Sequence, residues 1–422
     1  MDRHPHPAAP PADRRRWAVL AVGLLAMTAG CTFQFGLAYL IPALRGEGLS
    51  LGQAGLLAAA PTAGLLFTLV AWGAAADRWG ERWVLAGGLA LAGAVLAVAT
   101  TVHGPVTLGV CFLLAGAAGG SVHASSGRLI LGWFAAHERG LAMGLRQTAQ
   151  PLGVAVAAVA LPSLAMAGLG GALVFLSAFC LVSAGLVAAF VRDPRRTSSG
   201  AAERPGSPYR TPVLWRVHAS SALLIVPQFT VSTFALVFLV DVLGWQATDA
   251  GRLLAAAQIG GAAARLLSGW WSDRAGSRLR PMRTLTVAIG ATVAALATAA
   301  TTPGGAAVAL VVIAAVVTVS TNGLAFTAVA EHAGNAWAGK ALGIQNTAQN
   351  AVAAATPPVM AAVISGPGYS AAFGAAAICA LLAVAVIPLQ AEGGTAARTP
   401  AGSKSSDTAP TASPHQPRTA RP

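Results

Sequence analysis

Charge is what this chain most lacks. Of its 422 residues only 10% are Asp, Glu, Lys or Arg, against roughly 25% in a soluble globular protein. Acids are scarcest: 14 Asp and Glu stand against 27 Lys and Arg, a formal charge of +13. The remainder is 55% hydrophobic, with a mean hydropathy of +0.65. That balance excludes an ordinary soluble domain. Cysteine is nearly as rare. Cys31, Cys111, Cys180 and Cys379 each lie alone inside an apolar run, so they read as small hydrophobes and not as metal or redox ligands. The sequence has no G-x-x-x-x-G-K-[ST] phosphate loop, no metal-ligand cluster and no nucleophile–base constellation. An ATP-driven pump and a membrane enzyme are therefore disfavoured, and neither cofactor nor metal is expected. The basic excess does not point to nucleic acid either, because it sits in short loops and tails between apolar runs.

What the chain has is apolar length. A spanning helix needs about 20 apolar residues. Twelve segments qualify, near 17–44, 51–76, 83–102, 106–134, 141–166 and 172–191, then 213–243, 250–272, 284–302, 306–330, 340–365 and 371–390. Internal prolines such as Pro61, Pro162, Pro227, Pro357 and Pro358 are tolerable where neighbouring helices satisfy the freed backbone groups. Abundant Gly and Ala suit close packing in lipid. A polar tail (1–16), a Ser/Gly/Pro/Arg connector (192–212) and a Thr/Ala/Pro/Ser tail (392–422), expected to be disordered, frame two blocks, 17–191 and 213–391. The run after residue 16 is too long for a signal peptide, so a retained first span is expected.

The two blocks repeat one another. Gly73, Asp77, Arg78, Gly80 and Arg82 spell G-x-x-x-D-R-x-G-x-R, and Gly269, Asp273, Arg274, Gly276 and Arg278 spell it again 196 residues later. Gly55 and Gly64 match Gly251 and Gly260 at the same offset. Gly144-Leu-Arg-Gln-Thr-Ala-Gln150 matches Gly343-Ile-Gln-Asn-Thr-Ala-Gln349 at an offset of 199, and Gln34-Phe35 has a counterpart in Gln228-Phe229. Six segments separate each pair, so the halves are parallel repeats of six helices. Lys and Arg crowd the two tails and the loops on one side, whereas the opposite loops hold Arg45 and Arg252 only. The positive-inside rule puts both termini in the cytoplasm of a multi-pass protein of the inner membrane.

Over 17–390 the chain resembles a major facilitator superfamily transporter, on the strength of the doubled G-x-x-x-D-R-x-G-x-R loop. The resemblance implies an all-α fold of twelve transmembrane helices, two six-helix bundles around a central cavity, alternating access and a monomer. It also implies that the motif loops, with Asp77, Arg78, Asp273 and Arg274 at their centres, latch the bundles as they rock; the plainer alternative is a solvated anchor.

Three arginines lie inside segments: Arg128, Arg146 and Arg265. At 1.5 Å per residue each sits about 9–10 Å from the cytoplasmic end, where no Asp or Glu matches its depth. They suit an anionic ligand, or else they snorkel or pair with Glu138, Asp77 or Asp273 at the rim. Arg265 stands eight residues before Asp273, a placement similar to the substrate arginine in helix 8 of the superfamily's nitrate/nitrite porters. Those porters pair it with a helix-2 arginine, where this chain has Leu69, which favours a larger anion held by one guanidinium. Gln34, His123, Gln228, Thr230, Thr233, Asn322 and Thr327 fall in segments 1, 4, 7 and 10, which line the cavity in that family. His123 and Asp241 are the candidate proton-coupling groups; a packing histidine is the alternative. In segment 5, Gly144 and Gly153 fit the start of the drug-antiporter signature, but Ala157 breaks it. The expected function is proton-coupled uptake of a small organic anion across the lipid bilayer, with drug or metabolite efflux as the alternative.

Overall fold

The computed structural model describes residues 15–133, 145–193, 207–302, 304–334 and 337–390, without the side chains at 15, 77, 124, 126–132 and 338. Expectations for both tails, for most of the connector, for Glu138 and Gly144 and for the side chains of Asp77 and Arg128 therefore lie outside the described residues. Contacts group the described residues up to Pro388 into one compact unit.

Every regular element among the described residues is helical. The first half comprises α1 (Arg15–Gly36), α2 (Leu51–Trp79), α3 (Glu81–Ala99), α4 (Pro105–Trp133), α5 (Ala149–Leu164) and α6 (Leu169–Phe190). The second comprises α7 (Pro212–Asp241), α8 (Ala247–Ala275), α9 (Leu279–Ala299), α10 (Gly305–Val317 with Asn322–Ala333), α11 (Ala338–Ser365) and α12 (Tyr369–Val386). By length and composition ten segments can cross a membrane. The other two, α8 and α11, have 29 and 28 residues, but polar residues such as Arg265, Gln345 and Asn346 dilute their hydropathy. Several segments are not unbroken helices: α5 begins only after a turn at Thr148 and ends in a 3-10 turn, Ala165–Ala167. After Gly36 the chain tightens into a 3-10 turn, Leu37–Leu40, and resumes as Ile41–Gly46. α10 breaks into turns between Val317 and Asn322, in a run of Thr and Ser, whose side chains compete for backbone groups.

Local signals set the helix ends. Ser50 and Gln53 form a reciprocal capping box that starts α2, with Ser50 N–H donating to Gln53 Oε1 at 2.9 Å and Gln53 N–H to Ser50 Oγ at 3.2 Å. Small residues let backbones touch. In α2 and α4, Gly64 lies against the Leu113 carbonyl and Gly116 against that of Pro61. Thr68 Oγ1 and Trp72 Nε1 both donate to the Ala117 carbonyl, each at 2.6 Å. Without a hydrophobic drive between helices in lipid, such close approach and interhelical bonds hold a bundle together.

The packing repeats as the sequence does. The pairs α1–α5, α2–α4, α3–α4 and α3–α6 recur as α7–α11, α8–α10, α9–α10 and α9–α12. Across the interface α2 packs on α11 and α8 on α5, again a related pair. On the Arg45 side, Gly55 faces Ala361 and the Pro357 carbonyl, and Gly251 faces Pro162 and the Ala158 carbonyl. These partners obey the repeat offsets, so one crossing is the image of the other.

Candidate functional site

Between the bundles lies a cavity of about 580 Å³, counting all space not filled by atoms, the solvent at its open mouth included. Its walls come from both halves: Gln34 and Phe35 of α1, Thr62 of α2, Gln150 of α5, Gln228 and Phe229 of α7, and Gln258 and Arg265 of α8. No Asp or Glu lines it among the described residues. Phe35 and Phe229 meet edge to face, 5.8 Å apart at 71°, and join the bundles with Ile225 and Ala353.

Arg265 is the cavity's cation. Its Nε donates to the Val319 carbonyl at 3.1 Å, Nη1 to the Gln147 carbonyl at 3.3 Å and Nη2 to Gln150 Oε1 at 3.3 Å. The second and third acceptors belong to the first half, so this side chain bridges the bundles. All three are neutral, so they orient the guanidinium without cancelling its charge. A buried cation with neutral partners attracts an anion strongly, because the low local dielectric magnifies the field.

Two side-chain pairs, each with one glutamine, flank the cavity. Gln34 Oε1 lies 2.8 Å from His123 Nε2, and Asn322 Nδ2 donates to Gln228 Oε1 at 3.0 Å. The repeat relates the two glutamines, so one interaction has been kept with different partners. Gln34 and Gln228 are each 4% exposed. Neither His123 nor Asn322 is itself among the residues that line the cavity.

Thr233 of α7, also a candidate from the sequence, lines the cavity, whereas Arg146 and Asp241 do not. Arg146 is absent from the cavity wall but acts electrostatically on Cys31 and His123. Asp241 lies at the far end of α7, ion-paired with Arg45 of the other bundle on a partly exposed rim. Gln258, Gln150 and Thr62 were not singled out by sequence. Gln258 and Thr62 share the 196-residue offset of the motif loops, so aligning the halves position by position identifies both.

The motif loops sit at the opposite end from Arg45. Gly80 takes φ +88°, a conformation glycine adopts freely, and a side chain there would also strike the Asp193 carboxylate. Arg82 N–H donates to Asp193 Oδ1 at 2.8 Å and Arg82 Nε to the Ala188 carbonyl at 3.0 Å. In the second copy, Arg278 pairs with Asp273 and donates from Nε to Glu331 at 3.1 Å. Arg274 covers the Trp270 ring at 3.8 Å. These bonds tie each loop into its own bundle. A Cβ on Gly73 or Gly269 would meet nothing within 4 Å, so this arrangement gives no reason for those two glycines.

Comparison with known proteins bears on the whole chain. Residues 21–357 match the Major Facilitator Superfamily. An uncharacterized MFS-type transporter of Mycobacterium tuberculosis strain H37Rv is 43% identical over 379 residues, covering 89% of this chain and 84% of that protein. Its counterpart in strain CDC 1551 is 42% identical over the same length. Among solved structures, a bacterial homolog of the human lysosomal transporter Spinster, in an inward-facing and occupied conformation, superposes with a TM-score of 0.74 at 17% identity, covering 90% of this chain and 98% of that one. The unoccupied form gives 0.66 at 15% identity, covering 89% and 95%. Twelve membrane helices in two parallel repeats, around a cavity that carries the Arg265 guanidinium, belong to a multi-pass transporter of a small solute: the chain is a member of the major facilitator superfamily.

Proposed function

We propose that the protein is a proton-coupled carrier that takes up a small organic anion by alternating access, as a monomer with both termini in the cytoplasm. The observation that carries this reading is Arg265, a cation on the wall of an acid-free cavity, bonded to neutral oxygens only in the contacts described. Gln34, Gln150, Gln228 and Gln258 add hydrogen-bonding groups from four helices. Such a lining suits a carboxylate that also bears hydroxyl or carbonyl groups, and it lacks the carboxylate that would hold a lipophilic cation. His123, bonded to Gln34, is the proton site, while Asp241 serves at the outer rim.

The bundles touch through Gly55, Gly251 and the Arg45–Asp241 pair on what we read as the outer side. The motif loops face the cytoplasm, where open space beside Gly269 supports close approach in the opposite state of the cycle. There the loops act as the latch between bundles.

A thermal-shift screen of the purified full chain tests the substrate class. Gluconate, lactate and benzoate are compared with tetraphenylphosphonium, in wild type and Arg265→Gln. Stabilisation by a carboxylate that disappears in Arg265→Gln supports the reading. Stabilisation by the lipophilic cation, or a carboxylate effect indifferent to Arg265, would sink it in favour of efflux of another solute class.

A further inference from the structure

Gln34 and Gln228 hold equivalent places in the two halves, yet the groups they face differ in kind. Gln228 Oε1 accepts from the Asn322 carboxamide at 3.0 Å, which does not titrate. Gln34 Oε1 faces the His123 imidazole at 2.8 Å, a ring whose charge changes in the physiological range when unperturbed. Gln34 is 4% exposed and borders the cavity, and its Nε2 is buried without a hydrogen-bond partner. An unsatisfied buried amide N–H is costly. The group is poised for a guest that accepts.

We propose that Gln34 transmits the protonation state of His123 to the cargo by which end of its carboxamide it presents to the cavity. The proposal rests on the anion reading above. An imidazolium carries N–H on both nitrogens and can only donate. Gln34 must then turn Oε1 to the ring and its N–H₂ to the cavity, where a carboxylate accepts. When the ring loses a proton to water from Nε2 and keeps the one on Nδ1, Nε2 becomes an acceptor. The carboxamide turns over, donates to the ring, and shows the cavity a carbonyl oxygen that repels an anion. The neutral tautomer with its hydrogen on Nε2 still accommodates cargo, so the coupling is finite. Proton and anion favour each other, the sign required for symport, and by linkage each raises the other's affinity by the same factor. In the second half, Asn322 keeps the matching pair indifferent to pH.

Around His123, the stretch just before α5 contributes the Arg146 guanidinium and α1 the Cys31 thiol next to it. α2 turns Thr68 and Trp72 toward α4 at Ala117, and α3 turns Gly88 toward Ser121. None of these α2 and α3 groups titrates.

Infrared difference spectroscopy of the full chain in lipid nanodiscs, between about pH 5.5 and about pH 8, reads ring and carboxamide together. The expected result is a His123 imidazole band and a Gln34 carbonyl band that titrate in step. The Gln34 band should vanish from the difference in His123→Asn and in Gln34→Met, and persist in Gln228→Met. A titrating His123 with a silent Gln34, or a Gln34 band that survives in His123→Asn, overturns the proposal. His123→Asn also builds in the first half the amide pair the second already has. Gluconate binding is expected to weaken about tenfold over that pH range in wild type, and the ratio should fall to about one in His123→Asn. An unchanged ratio in that variant counts against the mechanism. If gluconate, lactate and benzoate all fail to bind at either pH, the anion reading fails, while the infrared result, which needs no cargo, still decides the role of Gln34.

Discussion

In the first bundle a glutamine meets an imidazole; in the second its counterpart meets a carboxamide. In the second bundle α8 carries Arg265; in the first, α2 carries Leu69 at the same point of the repeat. At these two positions each half keeps the scaffold of the other and differs in a charged or chargeable side chain. The two differences are complementary: at one the first half has the imidazole, at the other the second half has the cation. Arg265 lines the cavity at the seam, and His123 reaches it through Gln34. A third departure is Arg146, which stands where the second half has Gln345. Duplication supplied the frame, and loss of symmetry at such positions set the halves apart.

The comparison can be broken most severely at Arg265. Arg265→Leu makes the two halves alike at this point and should weaken carboxylate binding by about a hundredfold or more, the scale of roughly 2–5 kcal/mol for a buried charged contact. Adding Leu69→Arg to that variant moves the cation to the image position. Partial recovery of binding, measured by calorimetry with the best-stabilising carboxylate, would establish that the cavity is symmetric in shape; no recovery would show that Val319, Gln147 and Gln150 are needed to aim the guanidinium.

A smaller effect is expected at the interface crossings. A Cβ on Gly251 meets the backbone carbonyl of Ala158, which cannot swing away, whereas on Gly55 it meets the Ala361 methyl at 3.1 Å and the Pro357 carbonyl at 3.3 Å. Overpacking costs about 1–3 kcal/mol. Gly251→Val should therefore lower Tm more than Gly55→Val, and equal losses would contradict the difference in contact.

Smaller again are the interhelical bonds at the related positions Thr68/Trp72 and Ser268. Ser268 Oγ donates to the Ser320 carbonyl at 2.8 Å, and that carbonyl has no second side-chain donor among the described contacts. Ala117 keeps Trp72 as donor when Thr68 is lost. Ser268→Ala should cost about 0.6 kcal/mol or somewhat more, and Thr68→Val less, as read from unfolding in detergent. Smallest of all is Arg45→Ala. The Arg45–Asp241 pair is 38% and 30% exposed, so its loss should cost about 0–1 kcal/mol and less still in high salt.

Much of this was legible in the sequence. Twelve apolar runs and a pattern repeated at a fixed offset specify helices, their number and their pairing, because length and period are properties of the chain itself. Gln34, Gln228 and Arg265 stand out for a similar reason: polar groups inside apolar runs are expensive, and each has either a repeat partner or a missing one. The rest depends on what crosses between helices. No sequence pattern predicts that Gln147 and Gln150 receive Arg265, or that Asp241 is tied to Arg45 at a rim. The break in α10 was also hidden, since Thr318 to Thr321 sit within an otherwise uniform apolar run. Gln258 was concealed by its counterpart Thr62, which differs in size and chemistry.

The mirrored glycine crossings also set a lever. Gly55 lies four residues from the start of α2 and 24 from its end at Trp79, arms of about 6 Å and about 36 Å at 1.5 Å per residue. A turn of about 10° around that crossing shifts the near end by about 1 Å and the motif end by about 6 Å. The same proportions hold for Gly251 on α8. Under the rocking proposed above, a bare backbone contact placed so close to one face would act as a fulcrum with a sixfold mechanical advantage, converting a rearrangement the width of a hydrogen bond at the Arg45 rim into an aperture the width of a small molecule at the other.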